Sequence, residues 1–232
     1  MIGIIIELII SWLLLRFIAG KNLSVLGLKL SPERMKHFTA GFFLAAICCS
    51  LYQVMTVTFA NNSWVVNDQL TFQSLLKGVW FTVKSVLFEE LIFRGALLYL
   101  AIEKIGIQKA CILSAACFGI YHWFSFNSFS NPFQMGIIFL MTGIFGWMLA
   151  FAFAKTKSLY LPISLHLGWN LFNIVVFSAG PLGTQILIKA NHHKLEGILS
   201  LFVFLFQVLV LPALVYFYLR YSKSKQPPKT VM

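Results

Sequence analysis

Six polar residues interrupt apolar stretches of this chain, and their types suit the activation of a water. Glu89 and Glu90 stand side by side, with Arg94 one turn on, inside VWFTVKSVLFEELIFRGALLYLAI, residues 79 to 102. His122 closes FGIYH, four residues after Phe118. His166 and Asn170 lie at i and i+4 in LPISLHLGWN, so both project from one helix face. A charge near the centre of a membrane helix costs roughly 2.5 to 3.5 kcal/mol on insertion scales, and groups kept there usually serve function. Glu90 and Arg94, at i and i+4, can form a structural ion pair. Glu89 points about 100° away around the helix and has no such partner on it.

A carboxylate in apolar surroundings is an effective general base, and His and Asn side chains stabilise the oxyanion formed when water attacks a carbonyl. Glu89, His122 and His166 are equally candidate ligands for a divalent metal such as zinc, with water in the fourth position. The residues alone leave the metal and metal-free readings open. Other hydrolytic arrangements are excluded. A two-aspartate site needs a second Asp beside Asp68, and HExxH and GxSxG are absent. Cys117 and His122 lie about 140° apart on a helix, which is poor geometry for a Cys/His pair. Taken singly, a His or Asn at membrane depth serves equally as a hydrogen bond between helices. The combination is harder to explain that way, because buried charge without partners is unfavourable.

The elements that must position these groups are membrane helices. The chain has 232 residues, 59% of them hydrophobic and 11% charged, against about 25% charged in an ordinary soluble domain. Its mean hydropathy is +0.84. Apolar windows of about 20 residues fall at 1–19, 38–59, 77–102, 108–126, 133–154, 159–179 and 196–219. The expected fold is therefore all-α, a polytopic membrane bundle of about seven transmembrane helices. A single domain is expected over 1–220, with a motif-bearing core at 77–179 and a flexible basic tail at 221–232. Helical rise puts Glu89 about 22 Å from Lys104, His122 about 20 Å from Lys109, and Asn170 and His166 about 20 Å and 14 Å from Lys157. These four residues thus fall within one slab of the bilayer core.

The net charge of +11 comes mainly from cations that alternate with the spans, which argues against nucleic acid as a partner. Lys21, Lys29, Arg34, Lys36, Lys104, Lys109, Lys155, Lys157, Arg220, Lys223, Lys225 and Lys229 fall on one side, whereas the loops at 60–71 and 127–132 hold no Lys or Arg. The positive-inside rule then puts the N-terminus outside and the C-terminus in the cytoplasm. The first span carries Glu7, lacks a basic start and a small-residue cleavage site, and is read as a retained helix. Cys48, Cys49, Cys111 and Cys117 lie in apolar spans and behave as small hydrophobes. Ser31 with Pro32 reads as a helix start. Gly136, Gly143 and Ala150, with Gly146 nearby, read as a close-packing stripe.

EELIFR, FGIYH and HLGWN, in that order over residues 89 to 170, resemble the EExxxR, FxxxH and HxxxN motifs of the CAAX-protease and bacteriocin-processing intramembrane proteases, the Abi or Rce1-like family. The resemblance implies an intramembrane endopeptidase acting on a peptide or membrane-protein substrate at or within the lipid bilayer. In its terms Glu89 and His122 activate the water, and His166 and Asn170 stabilise the oxyanion. Glu90, Arg94 and Phe118 support them. Many descriptions name the family as metalloproteases, and the metal question stays open here. Compact size and the lack of a targeting segment favour a bacterial plasma-membrane member. The competing reading is a non-catalytic membrane scaffold or bacteriocin-immunity protein on the same fold. A proton-coupled transporter is a third, although no internal repeat supports it.

Overall fold

Apolar runs in lipid must satisfy every backbone amide internally, and in this chain they do so as helices. The computed structural model describes residues 2–224. In chain order these form α1 (Ile2–Ala19), a 3-10 turn (Leu23–Leu26), α2 (Pro32–Phe59), β1 (Trp64–Val66), α3 (Phe72–Arg94), α4 (Ala96–Ile105) and α5 (Ile107–Ser125). There follow α6 (Pro132–Thr156), α7 (Tyr160–Asn170), a π turn (Leu171–Val176), β2 (Leu187–Lys189) and α8 (Gly197–Ser224). The all-α bundle is as expected, with one short antiparallel ribbon added, in which Val65 of β1 pairs with Ile188 of β2. Caps set the helix starts. Ser31 accepts the Arg34 amide ahead of Pro32, and Thr71 and Ser74 form a reciprocal capping box that opens α3.

Two expected spans are not single helices. The run 77–102 breaks at Gly95 into α3 and α4, and the break admits only glycine there, because the place a β-carbon would take is filled by the Leu91 carbonyl oxygen. Distance counted along one helix from Lys104 therefore does not measure the depth of Glu89. The run 159–179 is helical only to Asn170, after which the π turn carries the chain to Val176. Of the tail expected at 221–232, residues up to Ser224 belong to α8, and 225–232 lie outside the described residues.

Four helices, α1, α2, α6 and α8, are long and apolar enough to cross a membrane. The motif-bearing α3, α5 and α7 are not among them. Much of the apolar surface of α1, α2 and α8 points outward, including Ile5, Ile9, Phe43, Ile47, Phe202 and Phe217. Side chains of this size exposed on several helices fit a lipid environment and would be a liability in water. Inward, α2 packs along α7 and α5 along α6 as the most extensive helix pairs. Gly168 makes the first close approach possible, because a β-carbon there would strike the Phe42 carbonyl of α2. In the second, a β-carbon on Gly146 would lie 2.8 Å from the Phe118 ring, and Ala150 is fully buried. The expected stripe holds at those two positions. Gly136 has nothing within 4 Å of its β-carbon position and is not a packing contact.

Candidate active site

Glu90 and Arg94 meet as their spacing on α3 demands, with Arg94 Nη1 3.2 Å from Glu90 Oε1 and both side chains fully buried. The contact is an ion pair by distance rather than an aligned hydrogen bond, since Nη1 has no hydrogen-bond partner among the described residues. Other contacts fix the guanidinium. Its Nη2 donates to the Gly146 carbonyl at 3.4 Å, and its carbon lies 4.1 Å above the centre of the Phe118 ring. Phe118 therefore seats Arg94, and its ring also lies 4.4 Å from that of His122 and 6.0 Å from that of His166.

Glu90 has a second partner that spacing along α3 could not show. His166 Nδ1 lies 2.8 Å from Glu90 Oε1. A carboxylate paired with Arg94 accepts hydrogen bonds, so Nδ1 carries the proton and donates. The other ring nitrogen, Nε2, faces Glu89 Oε2 at 3.8 Å. Glu89 and Glu90 thus flank one imidazole from two sides.

His122 is held differently. Its Nδ1 lies 2.8 Å from the carbonyl of Phe118, which can only accept, so Nδ1 again carries the proton and a neutral ring presents Nε2 as an acceptor. No hydrogen bond or ion pair joins His122 to Glu89 among the described residues. The Asn170 side chain likewise makes no hydrogen bond among them, and it lines a cavity.

The expected site residues divide between two cavities. One, of about 300 Å³, holds Glu89 with Lys84, Ser85 and Tyr121 and reaches Gly3 and Ile4 of α1. The other, of about 180 Å³, is lined by His122, His166 and Asn170, with Phe118, Phe145 and Trp169 among its apolar walls. The Glu89–His166 approach links the residues of the two. As a metal centre the set does not fit: among the described residues no group of three His, Cys, Asp or Glu is placed to hold an ion. The candidate trio Glu89, His122 and His166 is not gathered.

Several cavity residues were not singled out from the sequence. Lys84 carried a readable signal, a cation inside an apolar run, and Tyr121 adjoins His122 within FGIYH. Asn173 and Gln207 line the second cavity, and their signal was an amide inside an apolar helix.

Residues 71–172 match the family model of type II CAAX prenyl endopeptidases, Rce1-like. Over this stretch, less than half of the chain, the sequence is similar to the Rce1-like family. The match starts at Thr71, the cap of α3, and ends inside the π turn, so it takes in α3 to α7 and every motif residue above. The helices α1, α2 and α8 enclose this Rce1-like core without being part of the match. No curated protein and no solved structure matches the chain. The likeness supports the general class of CAAX-type intramembrane proteases, and the apolar helices a place in a membrane.

Proposed function

We propose that this protein is an endopeptidase that hydrolyses a peptide bond presented at or within the bilayer, with Glu89 as the base. The observation that carries the reading is the opposition of Glu89 Oε2 and His166 Nε2 across 3.8 Å, with the imidazole fixed from behind by Glu90. That separation is too long for a direct hydrogen bond, and one water reaches both atoms across it. Glu89 takes one proton from the water while Nε2 accepts a hydrogen bond from the other, which stays on the oxygen as it attacks the substrate carbonyl carbon. The carbonyl oxygen becomes an oxyanion that accepts from the Asn170 amide. When the carbon–nitrogen bond breaks, Glu89 returns its proton to the leaving amine.

In this reading His166 stands with Glu89 on the water side, the place the family resemblance implies for His122. The contacts support the exchange, since His166 and not His122 approaches Glu89. His122 presents Nε2 to the cavity that takes the substrate and accepts its hydrogen bonds there. No step is routed through a metal, because the candidate ligands are not gathered. The substrate is a peptide or membrane protein that reaches the site from lipid.

The test is cleavage by purified protein in proteoliposomes, read by mass spectrometry of the products. Replacing Glu89 with Gln keeps the size and removes the base, so the rate should fall about 10² to 10⁴-fold with thermal stability retained. Wild-type cleavage by a folded Glu89→Gln variant would sink the proposal. A loss of folding without a separate effect on rate would favour the scaffold reading.

A further inference from the structure

The second cavity poses a question about donors. An oxyanion only accepts hydrogen bonds, yet both imidazoles commit their Nδ1 protons elsewhere, His122 to the Phe118 carbonyl and His166 to Glu90. In their neutral forms each then presents a lone pair at Nε2. Amides on the same cavity are a further source of N–H groups.

Asn170 is one amide and Asn173 is the next on the same cavity. Asn173 lies seven residues after His166, which continues the face set by His166 and Asn170. It sits inside the π turn, a rare widening of the helix that recurs at functional sites. Its side chain is held. Gln53 of α2, only 3% exposed, donates from Nε2 to Asn173 Oδ1 at 2.6 Å. On the opposite side Asn173 Nδ2 donates to the Ala179 carbonyl at 3.4 Å. A carbonyl cannot donate, so the polarity of the amide is fixed, with its oxygen toward Gln53 and its NH₂ away. The main chain adds a further tie, since the Ala179 amide donates to the Asn173 carbonyl at 2.8 Å. One side-chain N–H goes to Ala179 and the second has no partner among the described residues. Gln207 of α8 also lines the cavity, but no hydrogen bond orients its amide there. A pre-oriented donor stabilises developing charge better than one that must reorganise.

We infer that Asn173, held in orientation by Gln53, donates a second amide hydrogen bond to the oxyanion beside Asn170. The inference rests on the hydrolytic reading above. Asn173 and Gln53 lie outside residues 71–172, the stretch that matches the family model, Asn173 in the π turn and Gln53 on α2.

The experiment uses full-length protein in proteoliposomes, with a peptide that the wild type cleaves and its phosphinate analogue, whose tetrahedral oxygens imitate the oxyanion. Asn173→Ala should lower kcat about 10²-fold with KM nearly unchanged, and weaken phosphinate inhibition by a similar factor. Asn173→Asp, close in size but without the NH₂, should do the same. Gln53→Met removes the donor that holds Asn173 Oδ1, so it should free the Asn173 amide to turn and lower kcat in the same direction. Asn173→Gln, which keeps an amide, should recover part of the loss. A structural role alone would move thermal stability and leave phosphinate selectivity untouched. Wild-type kcat in Asn173→Ala, or a loss seen only in KM with phosphinate affinity preserved, overturns the inference. If Asn173→Ala does not fold, Gln53→Met decides by the same readings. With the wild type active and Glu89→Gln inactive, such a result removes only the role of Asn173, whereas an inactive wild type removes the hydrolytic reading and this inference together.

Discussion

At the residue scale, two adjacent glutamates have different tasks because adjacent positions on a helix face about 100° apart. Glu90 turns inward to Arg94 and His166, while Glu89 opens onto a cavity. Replacing Glu90 with Leu should leave Arg94 as an uncompensated buried charge and release the His166 ring. We expect a loss of about 3 to 5 kcal/mol in unfolding free energy, measured in detergent, together with loss of cleavage. Glu89→Gln should differ by sparing stability, and equal destabilisation by the two changes would refute this division of labour. The donor geometry also yields a prediction about metals. Because Glu89, His122 and His166 are not gathered around one point, dialysis of the active protein against a strong chelator should leave its rate unchanged. Loss of activity restored by zinc would contradict that arrangement.

At the scale of elements, close approaches of backbone decide where the imidazoles stand. Gly168 lies between His166 and Asn170 and faces the Phe42 carbonyl of α2. Gly168→Ala should push α7 from α2, destabilising the protein by about 1 to 3 kcal/mol and lowering activity by displacing both site residues. Gly136→Ala is the matched control, since open space surrounds that position. It should stay within about 0.5 kcal/mol of wild type, and a large effect there would mean that α6 has a neighbour on this face. Thermal unfolding of both variants, alongside their cleavage rates, checks the pair.

At the scale of the whole molecule, apolar helices surround a core whose helices carry the charge. The arrangement lets α3 hold five ionisable residues, Lys77, Lys84, Glu89, Glu90 and Arg94, because Glu90 and Arg94 face protein and Glu89 a cavity. The cysteines report on the same inside and outside. Cys48, Cys49 and Cys111 are buried, and Cys117 is exposed on α5. A lipid-soluble maleimide added to membranes should therefore modify Cys117 rapidly and the other three only on unfolding. Rapid labelling of Cys49, followed by mass spectrometry, would show that α2 is not packed as described.

What could be read from the sequence was local. The Ser31 cap and the Glu90–Arg94 pair depend on residues within one or two turns, so local pattern sufficed. The helical class followed from hydropathy, since lipid leaves a long apolar chain little choice but a helix. The break at Gly95 was not visible, because it arises where the Leu91 carbonyl fills the space of a side chain, and a glycine in an apolar run reads equally as packing. The π turn and the β1–β2 ribbon were missed for a similar reason, one being a departure from helical register and the other a pairing of segments over 120 residues apart.

The sequence by itself determined that carboxylate, imidazole and amide groups stand in three apolar helical runs, and the match over residues 71–172 takes in all three. Tertiary structure alone decided which groups meet. His166 reaches both glutamates, His122 turns to its own helix, and Gln53 reaches Asn173 across 120 positions. Spacing along a helix fixes the direction of a side chain from its own axis. The distance between two axes is fixed by the small residues and carbonyls in contact between them, and these can be paired only after the chain has folded.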